Sequence, residues 1–363
     1  MKSLICLLTL SSLYLTATSS RLSHHRLEHK TPKDFNEDIV KTVVVGQNGS
    51  SDFKTIQAAI DSIPSGNDKW IKISLQNGIY NEKIIIPSEK QKIVMQGNDA
   101  SKVIVQYNDA GQSNGSGPVI VYAQYFVAIN ITFKNSYDPI TSVGVPYKEI
   151  KVAPSIILMA DKAWFYGCSF ISVQDTLADL VGRHLFQNCY IEGAIDFIWG
   201  GGQSIYKKCL IYVKGMKTNK MKDYEGGILP GFITAQGRAS EQDTSGFVFK
   251  YCVITGDGMA SLGRAYRGYS RVLFYKTSMS NIIVPQGWDA WFYKGQEDKI
   301  TFAEVGCIGE GANKQGRVGW EKSLSAKDVA FLTSTRKFID GDGWMATLPS
   351  SLVSLDSPFP IYY

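Results

Sequence analysis

FYGCSFI at residues 165–171, FQNCYIE at 186–192, YKKCLIY at 206–212 and FKYCVIT at 249–255 are four copies of one pattern. In each, an aromatic residue stands three positions before a cysteine, and Phe or Ile stands two positions after it. The cysteines, Cys168, Cys189, Cys209 and Cys252, are 21, 20 and 43 residues apart, the last step being two repeats. NITF (Asn130–Phe133) reads as an earlier copy with Ile131 in the cysteine position, and KTSM (Lys276–Met279) as a later one. A period near 20 leaves room for several short strands but no long helix. A unit of that size cannot bury its apolar face alone, so neighbouring units must stack into one continuous core. The pattern predicts an all-β chain: a single-stranded, right-handed parallel β-helix with short N-terminal and C-terminal helices.

The flanking sequence agrees. Lys41 to Pro64 reads as a strand, a Gly/Asn/Ser turn and a short helix with Ile56, Ala59, Ile60 and Ile63 on its apolar face. From Trp70 onward, β-branched and aromatic runs (IKISL, KIIIP, KIVMQG, KVIVQY, PVIVYA, YFVAINITF) alternate with Gly, Asn and Asp, as strands and turns do. Helical periodicity returns only at Ala326–Leu332. The regular cysteines read either as a column of small buried thiols or as bridges between neighbouring rungs. Ile131 in the same position favours thiols.

Register then brings two acids together. Asp175 lies seven residues after Cys168, and Asp196 seven after Cys189. They occupy one position on consecutive coils, about 4.8 Å apart along the stack. Two such charges repel by about 3 kcal/mol at an effective dielectric of 20, or about two pKa units. One should therefore hold a proton while the other ionises, giving an acid and a nucleophile in one site. A structural acid ladder is the bland alternative, but both residues sit among bulky apolar neighbours, where a carboxylate is costly.

Composition sets the class. Of 363 residues, 44% are hydrophobic and 34 are glycine, which excludes a disordered chain. Lys2 followed by the apolar run Leu4–Leu15 and small residues to Ser20 has the layout of a cleaved secretory leader. Hence we expect a leader at 1–20, a polar linker at 21–40 containing His24, His25 and His29, a catalytic domain at 41–363, and export without a membrane span. Asn48, Asn114 and Asn130 begin glycosylation sequons, Asn130 inside an apolar run. The net charge of +5 suits an acidic partner; export argues against nucleic acid. Cysteine spacings match no zinc site. Gly111–Gly115 fits G-x-S-x-G but lies in a loop, and His184 is the only histidine beyond the linker, so a serine triad is rejected.

The segments around the paired acids, Gln174-Asp175-Thr176-Leu177 and Asp196-Phe197-Ile198-Trp199-Gly200, resemble the QDTL and DFIFG motifs of the pectin methylesterase (pectinesterase) family. Gly78–Glu82 resembles GxYxE, Thr234–Arg238 TAQGR and Leu262–Tyr266 LGRxW, in family order over about residues 41 to 340. The resemblance implies the pectin-lyase-like β-helix and removal of methyl esters from cell-wall pectin, with release of methanol through an aspartyl acyl-enzyme. It implies Asp196 as nucleophile, Asp175 as proton donor and then base, Gln174 as oxyanion donor, Arg264 orienting Asp196 and meeting the sugar, and Tyr266 as a stacking surface. It implies no cofactor and no metal, a cell-wall location in a plant, a monomer, methyl-esterified pectin as partner and a proteinaceous inhibitor as another. The short span before the first strand leaves no inhibitor-like pro-domain. Three positions depart from the pattern. Val152 stands where the family has a second oxyanion glutamine, a loss worth about 100- to 1000-fold in turnover; Ala178 and Tyr266 replace aromatic residues. A slow enzyme, or a relative that binds pectin without cleaving it, follows from these.

A lyase or glycosidase on the same fold is the competing enzyme. An inverting glycosidase needs carboxylates about 6.5–9.5 Å apart, wider than a one-coil offset. The aromatic run Trp288–Tyr293 reads equally as sugar platform or as packing at the rim.

Overall fold

The computed structural model describes residues 38–47, 49–111, 115–139, 149–217 and 228–353. Asn48, Asn114, Ser113 and the leader and linker histidines lie outside these. The described residues form one compact unit, a right-handed parallel β-helix. Three parallel sheets, of ten, eight and eight strands, run along it. One coil shows the plan: Leu177–Val181 lies in the first eight-stranded sheet, Arg183–Gln187 in the ten-stranded sheet and Tyr190–Gly193 in the other eight-stranded sheet. The next coil begins with Ile195–Gly200, back in the first sheet. Leu177 then pairs with Ile198, Leu185 with Ile205 and Ile191 with Ile211.

The sequence repeat is the interior of this solenoid. Phe165, Phe186, Tyr206, Phe249 and Phe274 form one column of stacked rings, with successive centroids 5.0, 4.7, 4.4 and 4.6 Å apart. The thiols of Cys168, Cys189, Cys209 and Cys252 form a second, buried and unbridged; Cys307, half-buried, extends it. Each of Cys189, Cys209, Cys252 and Cys307 donates to a carbonyl of an earlier rung: those of Phe165, Phe186, Tyr206 and Phe274. Ile131 fills the same column, fully buried.

Each rung turns just before the cysteine position, on a residue in the left-handed region: Asn130, Gly167, Asn188, Lys208, Tyr251, Lys276 and Gly306. Asn and Gly adopt this conformation cheaply, whereas Lys and Tyr do so at a cost the stacked rungs impose. The run YFVAINITF, legible as one strand, is therefore two, Phe126–Ile129 and Thr132–Asn135, broken at Asn130 and lying in different sheets.

The ends are sealed. The helix Ile56–Asp61 packs over the N-terminal rungs. Its N-terminal amides, those of Ile56 and Gln57, donate to Glu82, and Tyr80 donates to the carbonyls of Val45 and Gln76. The GIYNE segment thus ties down the cap. At the other end Glu304 takes the rung position that pairs with Phe274, and Arg317 and Lys314 neutralise its buried carboxylate. The outer face of the ten-stranded sheet is apolar and is covered by Leu332, Phe338, Ile339, Trp344, Leu348 and Leu352 of the C-terminal segment.

Candidate active site

Asp175 and Asp196 lie at the starts of consecutive strands of the first eight-stranded sheet. Gln174 bridges to Ile195, and the Asp175 amide donates to the Ile195 carbonyl at 3.0 Å. The two acids are therefore in register one coil apart, as their spacing requires. Both have left-handed backbones, φ 61° and 48°, and both are buried, 7% exposed. Asp adopts this conformation more readily than most residues, so the cost at the site lies in burying two adjacent carboxyls.

The two acids differ in partners. Arg264, two coils further on in Ala260–Ala265, grips Asp196 with two parallel hydrogen bonds, Nε to Oδ1 at 2.7 Å and Nη2 to Oδ2. Burial pushes the Asp196 carboxyl up, and Arg264 opposes it. Asp175 has no such clamp: burial first, then the charge of Asp196, push its carboxyl well above the usual carboxylate range, against a weaker pull from Arg264. The two acids thus differ in environment, Asp196 held by a cation and Asp175 left without one, the kind of asymmetry on which paired carboxyls divide acid from base.

Around them, Gln174 is half-buried beside Asp175 and Tyr266 is 40% exposed. Tyr266 meets Trp199 edge-on at 5.9 Å, and the Trp199 indole donates to the Asp175 carbonyl. Val152 lies on the coil before Gln174: the next amide, of Ala153, donates to the Gln174 carbonyl at 3.1 Å. Ala178 is fully buried against Ile157, Trp199 and Ala235 and so offers no stacking face. The aromatic run splits: Trp288 is core, stacked on Phe302 at 4.6 Å, while Trp291 lies against Arg264 and Phe292 is 75% exposed. Phe232, on the strand between those of Asp196 and Arg264, also packs on the Arg264 guanidinium; no pattern in the sequence singled it out. Gln236 of the TAQGR segment is structural: its side-chain oxygen accepts from the Arg238 and Arg271 amides.

His184 is the second group whose role the sequence hid. It begins a strand, as its Gly-Arg neighbours suggest, but its ring is inside the solenoid. Nδ1 lies 2.6 Å from Asp179 Oδ1 and Nε2 2.6 Å from the Ala160 carbonyl; Tyr206 donates to Asp179 Oδ2. Gly202 leaves the room, since a Cβ there would sit 2.0 Å from Asp179 Oδ1. This buried cluster supports the strand that follows Asp175 and has no opening to substrate. Among the described residues no group of three or more His, Cys, Asp or Glu side chains could hold a metal, and no helix is long and apolar enough to cross a membrane.

The family model described as Pectinesterase matches residues 42–342. "Probable pectinesterase 29" of Arabidopsis thaliana is 44% identical over 308 residues, 85% of this chain and 89% of that protein. "Probable pectinesterase 55" of the same plant is 42% identical over 308 residues, 85% and 91% of the two chains. Among solved structures, a pectin methylesterase from carrot superposes with a TM-score of 0.74 at 26% identity, covering 88% of this chain and 98% of its own.

Proposed function

From a chain that belongs to the pectinesterase family, we propose a carboxylic ester hydrolase that removes methyl esters from cell-wall homogalacturonan with Asp196 as nucleophile and Asp175 as acid and base. The observation that carries this reading is the asymmetric pair: two buried carboxyls one coil apart, one clamped by Arg264 and the other pushed toward its protonated form.

In the proposed cycle an Asp196 oxygen attacks the ester carbonyl carbon, and the electron pair of the C=O moves to oxygen. Gln174 donates to that oxyanion. The intermediate collapses, the bond to methoxide breaks, and Asp175 gives its proton to the departing methanol. The sugar is then held as an anhydride on Asp196. The Asp175 carboxylate takes a proton from water, which attacks the same carbon and releases the acid and Asp196. Arg264 keeps Asp196 ionised and aimed, and Tyr266 offers its exposed ring to a neighbouring sugar. Val152 leaves the second donor position empty, which lowers turnover by about 100-fold or more. The leader at 1–20, the catalytic domain at 41–363, export to the wall, glycosylation at Asn48, Asn114 and Asn130, a monomeric state and a proteinaceous inhibitor complete the reading. Their support is the leader-like N-terminus, the sequons and the family.

Methanol release from highly methylated pectin tests it. Wild type is expected to release methanol and Asp196→Ala to release none. Shortened or unsaturated sugars in place of methanol would turn the reading to a glycosidase or lyase. No product from folded wild type would leave a pectin-binding protein.

A further inference from the structure

Arg264 does more than face Asp196. Its guanidinium carbon lies 3.8 Å from the centroid of the Trp291 ring and 4.3 Å from that of Phe232. With two aromatic rings against it, the planar cation keeps its N–H edge for Asp196. Phe232 comes from the sheet itself, on the strand between those of Asp196 and Arg264. Trp291 comes from the loop after the strand Trp288–Asp289, and its backbone is left-handed, φ 51°. A bulky residue pays about 1–2 kcal/mol for that conformation. Two bonds hold it: the Trp291 amide donates to Asp289 Oδ1 at 2.8 Å, and the Tyr293 amide to the Ala290 carbonyl at 2.9 Å. Packing of the rim does not require this, because Trp288 already fills the core beneath.

Resting on the esterase reading above, we propose that Trp291 is a positioning residue: it fixes the plane of Arg264 and excludes water from it, so that Arg264 holds Asp196 ionised and aligned for attack. A cation over an indole gains about 0.5–2 kcal/mol, more as water is removed. The low dielectric this creates also strengthens the Arg264–Asp196 pair. Two further acids flank the pair: Asp175 on the coil before Asp196, and Asp289, in register with Arg264 on the coil after it. Asp289 is engaged by the Trp291 amide, so the same turn that aims the indole also occupies the acid that could compete for Arg264.

The test separates this role from that of a sugar platform. In substrate-free protein, an infrared pH titration differenced against Asp196→Asn isolates the Asp196 carboxylate. Trp291→Leu keeps apolarity but loses the π face, and is expected to raise that titration by about 0.5–1 pH unit. Trp291→Phe restores most of the wild-type value; Trp291→Met serves if leucine unfolds the loop. In methanol release the leucine variant loses kcat about tenfold, with KM within about twofold and the acid limb moved up in parallel. An unmoved titration overturns the proposal, as does a defect confined to KM. Because the infrared reading needs no turnover, an inert wild type would sink the esterase reading alone.

Discussion

Asp175 shows how a site can be set against stability. Its folded-state pKa lies above the unfolded value of about 3.9, with burial as the first cause and Asp196 as the second. For such a group the favourable contribution is complete below the unfolded pKa and disappears as pH rises through the folded one. Wild type should therefore lose stability between about pH 4 and neutrality relative to Asp175→Asn, which cannot ionise. Asparagine tolerates the φ of 61° at this position, so the exchange carries no backbone penalty. Thermal midpoints across that range should coincide at the acid end and diverge toward pH 7, the variant higher. Parallel curves would mean that Asp175 is ionised in the native protein and is no acid. The gain in stability should come with loss of methanol release, as expected where a desolvated group is kept for chemistry.

A single rung explains both what the sequence reveals and what it hides. The aromatic and cysteine positions of FYGCSFI and its copies point inward, so the period of the sequence is the period of the core, and the register of Asp175 on Asp196 follows by counting. The turns were less legible. Asn130, Gly167 and Asn188 are residue types that favour a left-handed backbone, but Lys208, Tyr251 and Lys276 adopt it only because the rungs above and below compel it. The partners of Asp196 were illegible without a family pattern, since Arg264 is 68 residues away. Phe232 and the Asp179–His184–Tyr206 cluster carried no local signal, because their contacts run between coils or across the interior. The cysteine column itself makes a prediction. The thiols of Cys168, Cys189 and Cys209 are nearly inaccessible; burial pushes those of Cys168 and Cys209 well above the usual range, and that of Cys307 less, to about 11. In native protein a thiol reagent should label Cys307 first, with Cys168, Cys189, Cys209 and Cys252 labelled only on unfolding, as mass mapping of the adducts would show. Rapid native labelling at any of those four would contradict a closed core.

The C-terminal segment turns a stack of rungs into one molecule. A solenoid alone is stabilised by nearest-neighbour contacts, so its ends can open without its middle. Here the outer face of the ten-stranded sheet carries Trp70, Val94, Val127, Trp164, Leu185, Ile205, Val248 and Leu273 on successive coils, and such a face left bare would be an aggregation surface. The chain after the last coil covers it. Lys250 donates to the Thr333 carbonyl, Arg183 pairs with Asp342, and the Trp70 indole donates to the Thr347 carbonyl at 3.1 Å. The segment thus anchors late, middle and early rungs in turn, running back toward the N-terminal end. Trp344, 1% exposed, is its largest buried side chain, and its indole donates to the Ile339 carbonyl at 2.8 Å. Trp344→Ala should cost about 3–5 kcal/mol. More telling is the form of unfolding. With the strap in place, hydrogen exchange of the amides around Trp70 and far-ultraviolet circular dichroism should report one coincident denaturant transition. In Trp344→Ala the early coils lose their link to the late ones, and the transitions should separate, the N-terminal probe melting first. A variant that is less stable but still unfolds in one step would show that contacts between rungs alone make the solenoid cooperative. The paired aspartates, near the middle of the stack, would then owe nothing of their register to the strap.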